Sequence, residues 1–275
     1  MKSLNDLAVD LSSRYRQLRG IVDLNEVIVL DREALSRCPP GSAGRSASLI
    51  NLAMRLSSRY NQLGGIDDID GAIVLDREPL LLRPLGHPHQ SQSLDALAKH
   101  LSSRYRQLGD IDDINGAIVL DRKALSLRPH EHPDRSSSLN NLALHLDFRY
   151  QRLEGINDLN EAIDLDQEAL SLCPRGHPDR SMSLNSLAVH LSSRYKHPGG
   201  IDDLNEAIVL NREALSLCPH GHPHRPLSLN NLAKRLSSRY EQLVELFISM
   251  QHLRMNKSCS AFTLNCNMVP NCFFS

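Results

Sequence analysis

Tryptophan is absent from this 275-residue chain, and phenylalanine and tyrosine together make up only 4% of it. So few aromatics do not fill a conventional globular core, where each one typically buries ~150–250 Å². Charge of one sign is lacking too: 31 Lys and Arg stand against 32 Asp and Glu, for a formal net charge of -1. That balance excludes a nucleic-acid binder held by bulk positive charge, and equally an acidic solvating chain. No apolar run approaches the roughly 18 residues of a membrane span. The opening Met1-Lys2-Ser3-Leu4-Asn5-Asp6 has no apolar stretch behind its lysine, so no secretory signal is expected. The six cysteines form no disulfide framework, which points to the cytosol and a cytoplasmic location.

What the chain does have is a repeat. All six tyrosines, Tyr15, Tyr60, Tyr105, Tyr150, Tyr195 and Tyr240, lie 45 residues apart. Leu52, Leu97, Leu142, Leu187 and Leu232, each followed by Ala, keep the same step, as do Pro39, Pro84, Pro129, Pro174 and Pro219. Units therefore run 3–47, 48–92, 93–137, 138–182 and 183–227, with a partial unit at 228–243. A stretch at 244–256, with Leu243, Leu246, Phe247 and Met250 in helical register, reads as a helix extension and crude cap, and 257–275 as an irregular tail.

Each unit holds two amphipathic segments. In unit 138–182, Leu139, Leu142, Ala143, Leu146, Tyr150 and Leu153 form one apolar stripe at helical spacing. Pro133 suits the first helical position, and Gly155 suits a left-handed C-cap. The second segment spans about Ile156 to Leu172, with Asp158 and Glu161 at capping-box spacing and Leu159, Ala162, Ile163, Ala169 and Leu170 facing inward. Pro174 stops it. No segment alternates with period two, so no strands are expected. A lone hairpin cannot bury its apolar face, so each unit leans on its neighbours. One tyrosine per unit serves as the large filler, its hydroxyl reaching solvent or a neighbouring loop. Unit 48–92 is the worst formed: Pro79 replaces a helix-B alanine at a cost of ~3 kcal/mol and should kink or open the helix. Gly71 and Gly116, in place of the glutamate at Glu161 and Glu206, cost about 1 kcal/mol each.

Leu142-Ala143, Ala162, Ala169 and Pro174 resemble the tetratricopeptide signature, with seven residues from Ala162 to Ala169 and twelve to Pro174. The 45-residue unit, with its Leu-Asn-Asn-Leu-Ala run and Gly-His-Pro loop, is similar to the long kinesin-light-chain type found in large fungal repeat proteins. The resemblance covers residues 3 to 243. It implies an all-α fold, a right-handed α-solenoid of tandem helical hairpins (a TPR-like superhelix), and a protein–protein interaction scaffold that binds a peptide in its concave groove. It also leaves open a sensor or regulatory fragment of a larger protein with a caspase-like or nucleotidase domain.

Residues able to do chemistry are sparse. There is no phosphate-binding Gly-rich loop, no nucleophile elbow and no paired His-Glu zinc motif, so no catalytic residue, cofactor or metal is expected and the chain reads as a non-enzyme. Cys38, Cys173 and Cys218 share one repeat position and read as buried small hydrophobes. Cys259, Cys266 and Cys272 lack zinc-ribbon spacing. His87, His132, His177 and His222 recur in the loops, and His100, His145 and His190 on the first helix, as structural residues do. His220, His222 and His224 could converge on a divalent ion, but a loop that caps the helix is the favoured reading. Arg59-Tyr60 and its copies read as a packed tyrosine beside a solvated arginine, and nucleic acid is not expected as a partner.

By the same resemblance the groove is lined by the first helix of each unit. The positions carried over are Asn140, two residues before the Leu of the Leu-Ala pair, and Asn51, Asn141 and Asn231 immediately before it, these three being an asparagine ladder for a peptide backbone or simply the top of an exposed helical face. Met54, Lys99, Leu144, Val189 and Lys234 follow the pair. Asp147 and Phe148 depart from the serines of the other units, which marks unit 138–182 as the most specific patch. The expected partners are a protein or peptide and no membrane, with self-association through the uncapped array ends.

Overall fold

The computed structural model describes residues 20–82, 87, 89–197 and 201–266; Asn5, Val9 and Tyr15 lie outside them, as do Pro84 and residues 267–275. Among the described residues the secondary structure is helical, with no strand. The helices are α1 (Ile21–Ser36), α2 (Ala43–Leu63), α3 (Ile66–Leu82), α4 (Gln90–Leu108), α5 (Ile111–Ser126), α6 (Arg135–Leu153), α7 (Ile156–Ser171), α8 (Arg180–Arg194), α9 (Ile201–Ser216) and α10 (Arg225–Cys266). Even-numbered helices are the first of each hairpin, here called helix A; odd-numbered ones are helix B. The chain divides into two compact units, 1–177 and 178–275. In the first, α2/α3, α4/α5 and α6/α7 pair as hairpins, and α1, α3 and α5 each pack on the helix A that follows. In the second, α8 and α9 form a hairpin and α10 packs on both. This is the all-α solenoid organisation of stacked hairpins.

Small residues bring the helices together. Ala98, Ala117, Ala143 and Ala162 are wholly buried among Ile114, Leu142 and Leu146 in the first unit. Large fillers enter only at the seams: the Tyr60 hydroxyl donates to the Ser103 carbonyl at 3.0 Å, and Tyr105 to the Phe148 carbonyl at 3.2 Å. These two tyrosines therefore span to the next helix A rather than to solvent, whereas Tyr240 is 69% exposed. Where Gly71 and Gly116 stand, an added Cβ would lie 3.1 Å from Leu56 Cδ1 and 3.3 Å from Leu101 Cδ1, so helix B approaches its own helix A closely there.

Several local expectations need correcting. The left-handed C-cap falls one residue before Gly155. Gly64 and Gly109 have φ of 74° and 72°, and the same place in α6 is taken by Glu154, with φ 57°. In each case the cap N–H returns to the carbonyl of Tyr60, Tyr105 or Tyr150 at 2.7 Å. Gly155, with φ −72°, is instead the N-cap of α7. Pro133 is not the first helical residue; it sits in a turn closed by Arg135 N–H on the His132 carbonyl at 3.0 Å, ahead of the Asp134 N-cap. At Pro79 the helix does not stop: α3 continues to Leu82 with Pro79 buried. Pro79 stands in the last turn, where the hydrogen bond it removes has few successors to disturb.

α10 runs as one helix past Lys257 to Cys266, through the start of the stretch expected to be irregular. Leu243, Leu246, Phe247 and Met250 lie on it and are all more than half exposed. No described helix is long and apolar enough to cross a membrane.

Candidate ligand-binding face

The polar residues of helix A sort into those that hold the array together and those that do not. Arg59, Arg104, Arg149 and Arg194 belong to the first class. Each grips one carboxylate in the first turn of its own helix B through Nε and Nη2: Asp68, Asp113, Asp158 and Asp203. The distances run from 2.5 to 2.9 Å. In the first unit the remaining Nη1 reaches back to the preceding helix B, at Asn25, Asp70 or Asn115. These arginines are therefore engaged rather than solvated, and Asp158 is a partner for Arg149 rather than a cap. The paired carboxylates raise the pKa of all three first-unit guanidinium groups by accepting their hydrogen bonds. A planar fork meeting a planar carboxylate gives two parallel charge-assisted bonds, which an ammonium cannot reproduce.

The other end of the hairpin has a second clasp. Arg45 binds Glu78, Arg135 binds Glu168 and Arg180 binds Glu213. Arg45 and Arg135 also donate to the carbonyls of Cys38 and Arg128, which tie down the preceding loop. In the hairpin between, both partners change together, to Gln90 and Lys123.

Between hairpins the seam is polar and buried. His100 Nδ1 lies 2.6 Å from Asp76 Oδ2, and His145 Nδ1 lies 2.5 Å from Asp121 Oδ2, all four residues being buried. Arg55 takes the same position opposite Asp31 at 3.7 Å. A second coupled change sits nearby: Arg128, where other units carry Cys173 or Cys218, is buried and pairs with Asp95 at 2.7 Å and with Ser138. Burial raises the Asp95 carboxyl above its ordinary value and outweighs the opposing pull of Arg128. Sequence reading missed these seams, although Asp and His recurring 24 residues apart three times, at Asp76/His100, Asp121/His145 and Asp166/His190, was a visible signal. The loop histidines do cap: Nδ1 of His132 accepts from Asp134 N–H at 3.0 Å, and His222 does the same for His224 at 3.2 Å.

Removing the engaged groups leaves a smaller face than the repeat positions suggest. Asn51, Met54 and Lys99 are exposed, and so is Leu144. Asn140 and Asn141 are half-buried, as is Val189. Asp147 is 2% exposed and accepts from Gln151 Nε2. Asn231 is also buried. Phe148 packs into the seam, with its ring centroid 6.2 Å from that of Tyr105 and 6.3 Å from that of His145. In the first unit the open faces of α2 and α4 flank a shallow cleft lined by Ile50, Asn51, Gln92 and Ala96. In the second unit Lys234 is exposed and borders a cleft between α8 and α10.

Solved structures share this hairpin organisation. A Podosopora anserina protein of nearly identical TPR-like repeats, assigned as a kinesin light chain, is 18% identical with a TM-score of 0.56, covering 78% of this chain and 98% of that one. The fold is that of a tetratricopeptide-like repeat array. A thermophilic TPR protein from Thermus thermophilus is 18% identical, with a TM-score of 0.53 over 82% of this chain and 99% of its own. BtubC of P. vanneervenii, 15% identical, has a TM-score of 0.52 and covers 100% of this chain and 97% of its own. No family model matches the chain, and no curated protein matches it either. In this tetratricopeptide-like array, then, sequence identity to these structures is low while the two-helix unit is retained.

Proposed function

We propose that the tetratricopeptide-like array is a non-catalytic scaffold that holds a partner protein or peptide along the open faces of its A helices. The observation that carries this is the separation of roles on those helices. Arg59, Arg104, Arg149 and their carboxylates are consumed by the fold. Asn51 and Lys99, by contrast, are exposed, and Lys99 acts on the fold only through its charge near Asp95. Met54 is 52% exposed and Leu144 42% exposed at the same repeat position as Lys99. Alternation of these apolar side chains with a lysine and amides suits an extended segment with mixed side chains. The proposed contact set is Asn51, Met54, Lys99, Asn141 and Leu144 of the first unit, with Asn140 at its margin; Val189 holds the corresponding position on α8 of the second unit. Asp147 and Phe148, buried and half-buried on α6, support that face from beneath. Self-association is the second expected contact, through the exposed apolar residues of α10.

The test is affinity capture with quantitative mass spectrometry, comparing the native chain with a Met54→Ala/Lys99→Ala/Leu144→Ala variant. A control carries Val74→Ala and Val119→Ala, changes at helix-B residues 68% and 66% exposed. Loss of the same partners from the first variant and not from the control supports the reading; equal loss or equal retention in both refutes it.

A further inference from the structure

The cleft between α8 and α10 has an electrostatic imbalance that no other described seam shows. At the seam position of Arg235 the first unit places His100 or His145 against a buried aspartate 24 residues earlier, or Arg55 opposite Asp31. Counting back the same distance from Arg235 reaches Asn211, which is neutral. Asn211 is wholly buried and gives its Nδ2 to Asn185 Oδ1 at 3.0 Å. Arg235 is thus a half-buried guanidinium whose Nε is shielded from solvent and has no hydrogen-bond partner among the described residues. Burial pushes its pKa down, and among nearby groups Tyr195 alone acts in the opposite direction.

The surroundings add to the imbalance. Lys234 and Lys196 border the same cleft and are exposed, and the remaining lining comes chiefly from Ser192, Ser237 and Ser238. Among the described residues no carboxylate lines it. A buried cation without a counter-charge is costly, and native folds ordinarily pair it. Here the unit has kept the cation and dropped the acid.

We propose that this cleft is an anion site for a phosphate monoester, with Arg235 at its floor, Lys196 and Lys234 at its rim and the serine hydroxyls as further donors. Three cations exceed the charge of one carboxylate and suit a dianion. A tetrahedral group with three terminal oxygens can take the guanidinium, an ammonium and a hydroxyl at once. The site is independent of the peptide-binding face proposed above, since it rests on the Arg235–Asn211 mismatch and not on the exposed helix-A residues of the first unit.

The experiment follows the Arg235 Nε–Hε resonance by NMR in the full chain. Inorganic phosphate is titrated first, then a short phosphoserine peptide and its unphosphorylated twin. Saturable shifts with phosphate and the phosphopeptide, and none with the twin, are expected. Similar affinities for the two would identify a site for the free anion; about tenfold tighter binding of the phosphopeptide would identify a peptide-borne ester. The decisive variant is Asn211→Asp, which restores the residue present at Asp31, Asp76 and Asp121 at the loss of the Asn211 hydrogen bond to Asn185. It should weaken phosphate binding about tenfold or more by supplying the missing counter-charge. Lys234→Ala should weaken binding without moving the thermal midpoint. A non-saturating response to phosphate, or unchanged affinity in Asn211→Asp with its fold verified by circular dichroism, would overturn the assignment.

Discussion

Arg149 holds Asp158 in a two-point grip, Nε to Oδ2 and Nη2 to Oδ1, each at 2.7 Å. The pair joins the end of α6 to the first turn of α7, and Nη1 of the same arginine reaches Asn115 on α5 at 3.2 Å. One side chain thus binds a hairpin to itself and to its predecessor. Both partners are mostly shielded, at 25% and 17% side-chain exposure, so solvent screening discounts the interaction only in part. Arg149→Ala is expected to lower unfolding stability by about 1.5–3 kcal/mol, the range for hydrogen bonds to charged groups. Arg149→Lys should recover less than half of that, because an ammonium cannot span both oxygens. Urea denaturation of the three proteins checks both values.

Glu154 occupies a left-handed position that Gly64 and Gly109 fill elsewhere. A side chain there costs ~1–2 kcal/mol of backbone strain. Glu154→Gly should therefore stabilise the chain by about 1 kcal/mol, reduced by the extra freedom glycine gives the unfolded state. A fall in the urea midpoint would contradict this.

The two pairs of coupled changes give a sharper test of what the seams require. Asp95→Asn alone removes the counter-charge of Arg128 but also relieves the desolvation that raises the Asp95 pKa, so it is expected to cost well under the about 3–5 kcal/mol of a broken buried pair. Asp95→Asn with Arg128→Cys, the residues of the neighbouring unit at Asn140 and Cys173, should match or exceed the native chain. Burial raises the folded-state pKa of Asp95 above 3.8. Its contribution to stability is consequently full below that value and is lost as pH rises through the folded value. The double variant should lack that slope. Stability measured against pH from the acid side upward would show it.

At the other clasp, Gln90→Arg with Lys123→Glu would rebuild the pair seen at Arg135 and Glu168. A double-mutant cycle is expected to give a favourable coupling of about 0.5–1 kcal/mol, as for partly exposed ion pairs. Gly116→Ala tests a different balance. The added methyl meets only the flexible end of Leu101, 3.3 Å away, so the gain in helix propensity of about 1 kcal/mol should dominate.

The repeat itself was legible because its spacing is carried by residues whose role depends on periodicity alone. Tyr60 and Tyr105 recur because each seam needs one large side chain, and Leu142-Ala143 recurs because helix A buries that stripe. The polar seams were not legible in the same way. Asp158 looked like a cap because capping and clasping both place an acid in the first helical turn; only the position of Arg149 across the hairpin decides between them. Glu154 escaped notice because a left-handed residue is inferred from glycine, and here the neighbouring Gly155 drew the assignment. The binding face was overestimated for a related reason. Helical position says which way Asp147, Phe148 and Asn231 point, but burial depends on what packs over them, as Tyr105 of the preceding helix A does over Phe148.

The most direct test of the scaffold reading places a photo-crosslinking residue at position 144 on the helix-A face and, separately, at position 119 on helix B, where Val119 is 66% exposed. Crosslinking is carried out in extracts that contain the natural partners, and the adducts are identified by mass spectrometry. A discrete adduct from position 144, weakened by Lys99→Ala and absent from position 119, is the expected result. Adducts that arise equally from both positions, or only from 119, would contradict binding along the A helices.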